Sequence, residues 1–181
     1  MDAGRLGMLS ILFDFIREGR KCWVLGDGKI RHQCIYAQDL IDACLKAVEH
    51  QGSNVFNIGS DNVPSIREMY QQVIDRAGTG ARVASLPAWF ALPAMKLAHR
   101  LGLSPLGEYQ FRMLTLDFVF DTAKIKSELA WSPTLDNSQM LYTAYQYYLA
   151  HRQEILQSDN FSANRQAIKK LGIIRLLKII S

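Results

Sequence analysis

The stretch Gly26-Asp27-Gly28-Lys29-Ile30-Arg31-His32-Gln33-Cys34-Ile35-Tyr36-Ala37-Gln38-Asp39-Leu40 decides the fold class. It follows the short β-prone run Cys22 to Leu25 and contains a second one, Arg31 to Tyr36; the glycines around Asp27 predict a tight turn joining two strands. From Asp39 to Val48 the period changes, with Leu40, Ile41, Cys44, Leu45 and Val48 recurring on a helical stripe. Asp39 stands at the amino end of that helix, where a carboxylate complements the dipole and accepts backbone N–H bonds, so it reads as a cap.

The same alternation continues outward. Upstream, Leu6, Leu9, Leu12, Phe13 and Ile16 recur at helical spacing before Gly19, predicting a helix from Gly4 to Glu18. Downstream, Asn54 to Ile58 predicts a strand ending at Gly59. Ser65 with Glu68 three residues later is a capping-box pattern and predicts a helix from Ile66 to Ala77. Arg82 to Leu86 predicts a strand, Pro87 to Leu101 an apolar helical region, Phe118 to Phe120 a short strand, Thr122 to Leu129 a short helix, and Gln139 to Leu149 an aromatic-rich helix. Strands alternating with helices mean α/β, the later part mostly helical. Trp131 before Pro133 reads as a ring packed where a helix ends, and Asn57 and Gly59 as small residues admitting a close approach.

At 181 residues, with 49% apolar and 21% charged side chains, the chain has the balance of one globular domain, which excludes disorder and collagen-like structure. A net charge of +4 is weak evidence for an anionic partner, and nucleic acid is not expected. Cys22, Cys34 and Cys44 lack C-x-x-C spacing and read as reduced, mostly packing thiols in a cytoplasmic protein. Ser10 and Asp14 interrupt the first apolar stretch, so neither a signal peptide nor a membrane span is expected. His32, His50, His99 and His151 are too far apart for a metal site, and Lys29 after Gly28 lacks the phosphate-loop spacing. Asp117 and Asp121 give no sign of a paired acid/base site.

Residues 160–181 hold Arg165, Lys169, Lys170, Arg175 and Lys178 and no acidic residue. This stretch reads as a docked or frayed terminal helix, with weak contact to a membrane or a partner as the alternative. The organisation expected is a main part over residues 1–152 and a basic apolar helical tail over 153–181.

Four segments, in order, resemble the NAD-dependent epimerase/dehydratase family of extended short-chain dehydrogenases: Gly26 to Leu40; Val55-Phe56-Asn57-Ile58-Gly59 with the Ser65 cap; Phe120 to Pro133, similar to an Asp-x-x-Lys-x-x-x-x-Leu-Gly-Trp-x-Pro element; and the Tyr142 to Tyr148 helix. The likeness runs from about Gly4 to Arg152. It implies a partial Rossmann-type α/β fold, mostly the helical carboxy-terminal substrate-binding domain with a few short strands. The cofactor would be NAD or NADP and the substrate a sugar nucleotide.

The family's Gly-x-x-Gly-x-x-Gly turn follows a strand, whereas Gly4, Gly7 and Ser10 have only three residues before them and read as a loop-helix junction. The family's base is a tyrosine with a lysine four residues later. Here Tyr36, Tyr70, Tyr109 and Tyr142 are followed at that spacing by Leu40, Ile74, Met113 and Gln146. The resemblance therefore implies a substrate-binding half without the half that holds cofactor and base. It has no cofactor-binding or catalytic residue of its own.

Arginines suit the substrate's pyrophosphate because the guanidinium fork is planar and permanently charged. Counting back from Asp39, the first family position falls on His32, with Arg31 one residue earlier and so on the opposite face of a strand. The second is matched by Arg112, nine residues before Asp121, and Arg5 is a third candidate. Two other readings remain open: a non-catalytic module with a membrane- or partner-binding tail, and a relative acting on a sterol-like or other hydroxyl/ketone substrate. A third reading takes the chain as a fragment of a longer reading frame, cut off at an internal methionine, and a half of this kind is expected to expose an apolar face, such as the Leu6 to Ile16 stripe, and to form homo-oligomers through it.

Overall fold

A computed structural model describes residues 9–100 and 113–157. In chain order the elements are α1 (Leu9–Arg17), β1 (Lys21–Leu25), α2 (Ala37–Glu49), α3 (Ile66–Ala77), β2 (Arg82–Leu86), α4 (Ala88–Arg100), α5 (Ala123–Leu129), α6 (Asn137–Ala150) and α7 (Arg152–Gln157). The mixed α/β character and the helical later part are as expected. Arg5, Arg112 and the tail over 160–181 lie outside the described residues.

The hairpin is the main correction. β1 pairs in parallel with β2, Cys22 facing Val83 and Val24 facing Ser85, and the intervening chain carries α2 and α3. Arg31 to Tyr36 forms no strand; it makes one isolated parallel bridge, His32 to Phe118. The reason lies in the turn and in the start of α3. Gly26 and Gly28 both take positive φ, 60° and 72°, and swing the chain away from β1. The carbonyls of Gly28 and Ile30 then accept the N–H groups of Arg67 and Ile66, at 3.1 and 2.9 Å. The Glu68 N–H goes to the Ser65 hydroxyl, so three of the orphan donors of α3 are satisfied. Those carbonyls are unavailable to a hairpin ladder. The expected strand at Asn54 to Ile58 is likewise not part of a sheet, and Phe118 to Phe120 is reduced to the bridge.

The core joins α1, β1, α3 and α6: Phe13 and Ile16 are fully buried beside Cys22, Val73, Leu141 and Tyr148. Burial of each of these large side chains is worth about 1.5–3 kcal/mol. Phe13 and Ile16 therefore face the interior, which overturns the expectation that the α1 stripe would be the exposed apolar face. A second cluster joins Ala43 of α2, Ile125 of α5 and Trp131, with Phe56 and Ile58 packed on it. Trp131 is buried as expected, and its indole N–H donates to the Asp39 carbonyl at 2.9 Å.

Asp39 is not a cap. It is buried in the first turn of α2, and its carboxylate accepts the Thr134 hydroxyl and backbone N–H, at 2.6 and 3.0 Å. The Asp-x-x-Lys pair is structural too: Asp121 Oδ1 accepts the Ala123 N–H at the start of α5, while Lys124 reaches the Asn54 side chain and the Val55 carbonyl. A Cβ at Gly59 would overlap the Gln33 carboxamide, so the close approach expected there is made by that side chain. All three cysteines are free; Cys22 is buried, Cys34 half-buried and Cys44 exposed.

Candidate functional site

A cleft of about 140 Å³ opens beside the glycine turn, lined by Trp23, Leu25, Ile30, Ile66 and Leu114 with two polar groups, His32 and Tyr70. β1 and the start of α3 form its walls, which is why the glycine turn and the capping box matter to it. Sites that take part of a small ligand are mostly apolar with a few placed polar groups.

His32 is fixed from several sides. Its Nε2–H donates to the Leu116 carbonyl at 3.2 Å, and its ring meets Phe118 edge-on at 5.6 Å. Its backbone is held by Asn137, whose Nδ2 donates to the His32 carbonyl at 2.6 Å while its Oδ1 accepts the Cys34 N–H and the Ser60 hydroxyl at 3.0 and 2.5 Å. Gln33 completes the bracket, donating to the Ser60 carbonyl and accepting the Phe120 N–H, both at 2.8 Å.

Arg31 points elsewhere. Its Nε and Nη2 both lie 3.1 Å from Asp117 Oδ2, and its backbone N–H donates to Oδ1 at 2.8 Å, at the exposed surface. That backbone bond, with the guanidinium bonds after it, holds the Asp117 carboxyl below its ordinary range. Adjacent residues thus diverge: His32 lines the cleft, and Arg31 pairs with Asp117 at the exposed surface.

The phenols run against proton abstraction. Burial first, and then the nearby Cys22 and Cys34 thiols, push the Tyr70 phenol up to about 12, so it stays protonated. Burial and the bond to Asp14 push Tyr148 up to about 12 as well, and burial raises Tyr145.

The described residues do not fit a nicotinamide dinucleotide. Its pyrophosphate needs a glycine turn that runs from a strand straight into a helix N-terminus. Here β1 and its glycine turn lead into extended chain, and the next helix, α2, begins at Ala37. A Cβ at Gly28 would meet Val24 and Arg67 side chains at 2.8 and 3.0 Å, so the space over that glycine is filled by protein. Among the described residues no cluster of histidine, cysteine or acidic groups could hold a metal. Nor is any helix among them long and apolar enough to cross a membrane.

The residues missed from sequence are Asn137, Gln33, Asp117 and Thr134. The spacing of Asp136 and Gln139 is a capping-box signal that would have started α6 earlier and brought Asn137 into view. Gln33, Asp117 and Thr134 carry no local signal, since each acts across more than twenty residues.

Solved structures of similar fold include two epimerases. UDP-glucose 4-epimerase from Thermotoga maritima, with UDP-glucose, is 19% identical with a TM-score of 0.57, over 82% of this chain and 40% of that one. UDP-glucuronic acid 4-epimerase from Bacillus cereus, in complex with NAD, is 20% identical with a TM-score of 0.53, over 78% and 38%. Residues 4–59 match the model of the NAD dependent epimerase/dehydratase family. An uncharacterized protein of Sinorhizobium fredii is 40% identical over 149 residues, 82% of this chain and 38% of that protein. The chain therefore spans about two-fifths of the length of the relatives it matches.

Proposed function

We propose that residues 1–152 are the carboxy-terminal, substrate-binding part of an NAD(P)-dependent epimerase/dehydratase acting on a sugar nucleotide, with 153–181 a basic tail. The dinucleotide and the proton-transfer groups belong to a half outside this chain, and the whole enzyme works in the cytoplasm. The observation that carries the reading is the cleft beside the glycine turn, with His32 bracketed into it. The UDP-glucose of one relative supports a nucleotide as the ligand. A flat base suits the apolar walls, and phosphates suit His32, Arg31, Arg112 and Arg5. Arg31 reaches a phosphate by exchanging its Asp117 partner for it.

Calorimetric titration with UDP-glucose tests the assignment. His32→Ala and Arg112→Ala should each weaken binding by about tenfold or more, Arg31→Ala and Arg5→Ala less. Binding untouched by all four changes contradicts it. The chain alone should show no epimerase, dehydratase or dehydrogenase turnover.

A further inference from the structure

Helix α4 carries large apolar side chains on its outside. Trp89, Phe90, Pro93, Ala94 and Leu97 share one exposed face at helical spacing, with Trp89 80% and Leu97 58% exposed. Of the side chains described on α4 only Ala91 is buried, and no residue of the helix belongs to either core cluster. The Trp89 and Phe90 rings meet edge-on at 6.0 Å, so the two largest side chains of the helix stand together at the surface.

The charge around this face has one sign. Lys96 and Arg100 are exposed in the carboxy-terminal half of α4, and residues 76–107 hold Arg76, Arg82, Lys96 and Arg100 with no aspartate or glutamate. The same mixture of apolar and basic residues without an acid recurs over 160–181. Two separate segments of one sign suit a continuous sheet of negative headgroups, which attracts each basic residue near it. At thirteen residues α4 is too short to cross a bilayer, and its composition suits lying in the interface. A tryptophan there keeps its ring in apolar surroundings and its N–H among the headgroups.

We infer that α4 docks this protein on an anionic lipid surface, lying in its plane with Trp89, Phe90 and Leu97 in the acyl boundary and Lys96 and Arg100 against the headgroup phosphates. The contact is peripheral, in keeping with the lack of any membrane-crossing helix among the described residues. It is separate from the cleft, which none of these five residues lines, and so stands whether or not the cleft takes a sugar nucleotide.

Co-sedimentation of the full chain with vesicles of mixed phosphatidylglycerol and phosphatidylcholine tests this, read together with tryptophan emission. Binding with blue-shifted emission is expected, and much weaker binding to phosphatidylcholine alone. Trp89→Ser with Leu97→Ser should lower the partition coefficient at least about tenfold. Lys96→Gln with Arg100→Gln should lower it by about tenfold or more on the anionic vesicles. Trp89→Phe should keep most of the binding and lose the emission shift, because Trp131 is buried and Trp23 lines the cleft. Amide exchange in α6 should be unchanged in every variant, which checks that each is folded. Three results overturn the inference: no vesicle binding; binding indifferent to the α4 changes, which would assign it to the tail; or a dimer, rather than vesicle binding, lost in the Trp89 and Leu97 variant.

Discussion

Thr134 grips the buried carboxylate of Asp39 with both its hydroxyl and its backbone N–H, across a separation of 95 residues. This contact ties the first turn of α2 to the chain leaving Trp131, and it locks the second cluster against α2.

Thr134→Val keeps the side-chain shape and the backbone N–H but strands one oxygen of that carboxylate. Hydrogen bonds to charged groups are worth about 1.5–3 kcal/mol, so the variant should lose that much in chemical denaturation. An unchanged midpoint would mean that the Asp39 contact contributes nothing.

Asn137 brackets His32, Cys34 and Ser60 at once. Asn137→Ala leaves buried backbone groups unpaired and should cost about 1–3 kcal/mol for each one left so. The discriminating reading is local: amide exchange at Cys34 should accelerate far more than exchange in α3. Uniform acceleration would assign Asn137 a purely global role.

The Asp117 contact with Arg31 should fail in acid. Because the folded carboxyl sits below its ordinary value, its stabilising contribution is complete above the unfolded carboxylate value of about 4 and is lost as pH falls through the lower folded value. Titrating the Asp117 carboxyl by NMR while following Arg31 amide exchange should show the two moving together, and Asp117→Asn should abolish the change. Titration of Asp117 at the ordinary value would remove the basis for this pH dependence.

Ser65→Ala removes the capping box that starts α3, with its reciprocal bonds between Ser65 and Glu68. A loss of about 1 kcal/mol is expected in thermal or chemical unfolding. A neutral result would show that the Gly28 and Ile30 carbonyls suffice to hold the helix start.

That helix was legible because its signals are local: a cap, a stripe and a terminal glycine lie within fourteen residues, and α3 spans Ile66–Ala77 as read. The hairpin was misread because Gly-Asp-Gly is equally good chemistry for a two-strand turn and for a chain that swings off to cap another helix. Only the long-range bonds from Ile66 and Arg67 decide between them. Asp39 was misread for a related reason, since a carboxylate in a first turn suits the dipole whether or not Thr134 arrives from far along the chain. At the cleft, His32 could be counted from Asp39, whereas Asp117, Gln33 and Asn137 needed the fold to bring them near. Arg5 and Arg112 lie outside the described residues; Arg112 rests on the family pattern and Arg5 on its place beside Gly4.

An amide-resolved NMR titration of the isolated chain with UDP-glucose, then with NAD and NADP, addresses the division of labour most directly. Saturable shifts confined to Arg31 to Gln33, Ile66 to Tyr70 and Leu114 to Phe118 on adding the sugar nucleotide, with none from either dinucleotide, is the predicted result. Saturable binding of a dinucleotide, or no response to the sugar nucleotide, would contradict it.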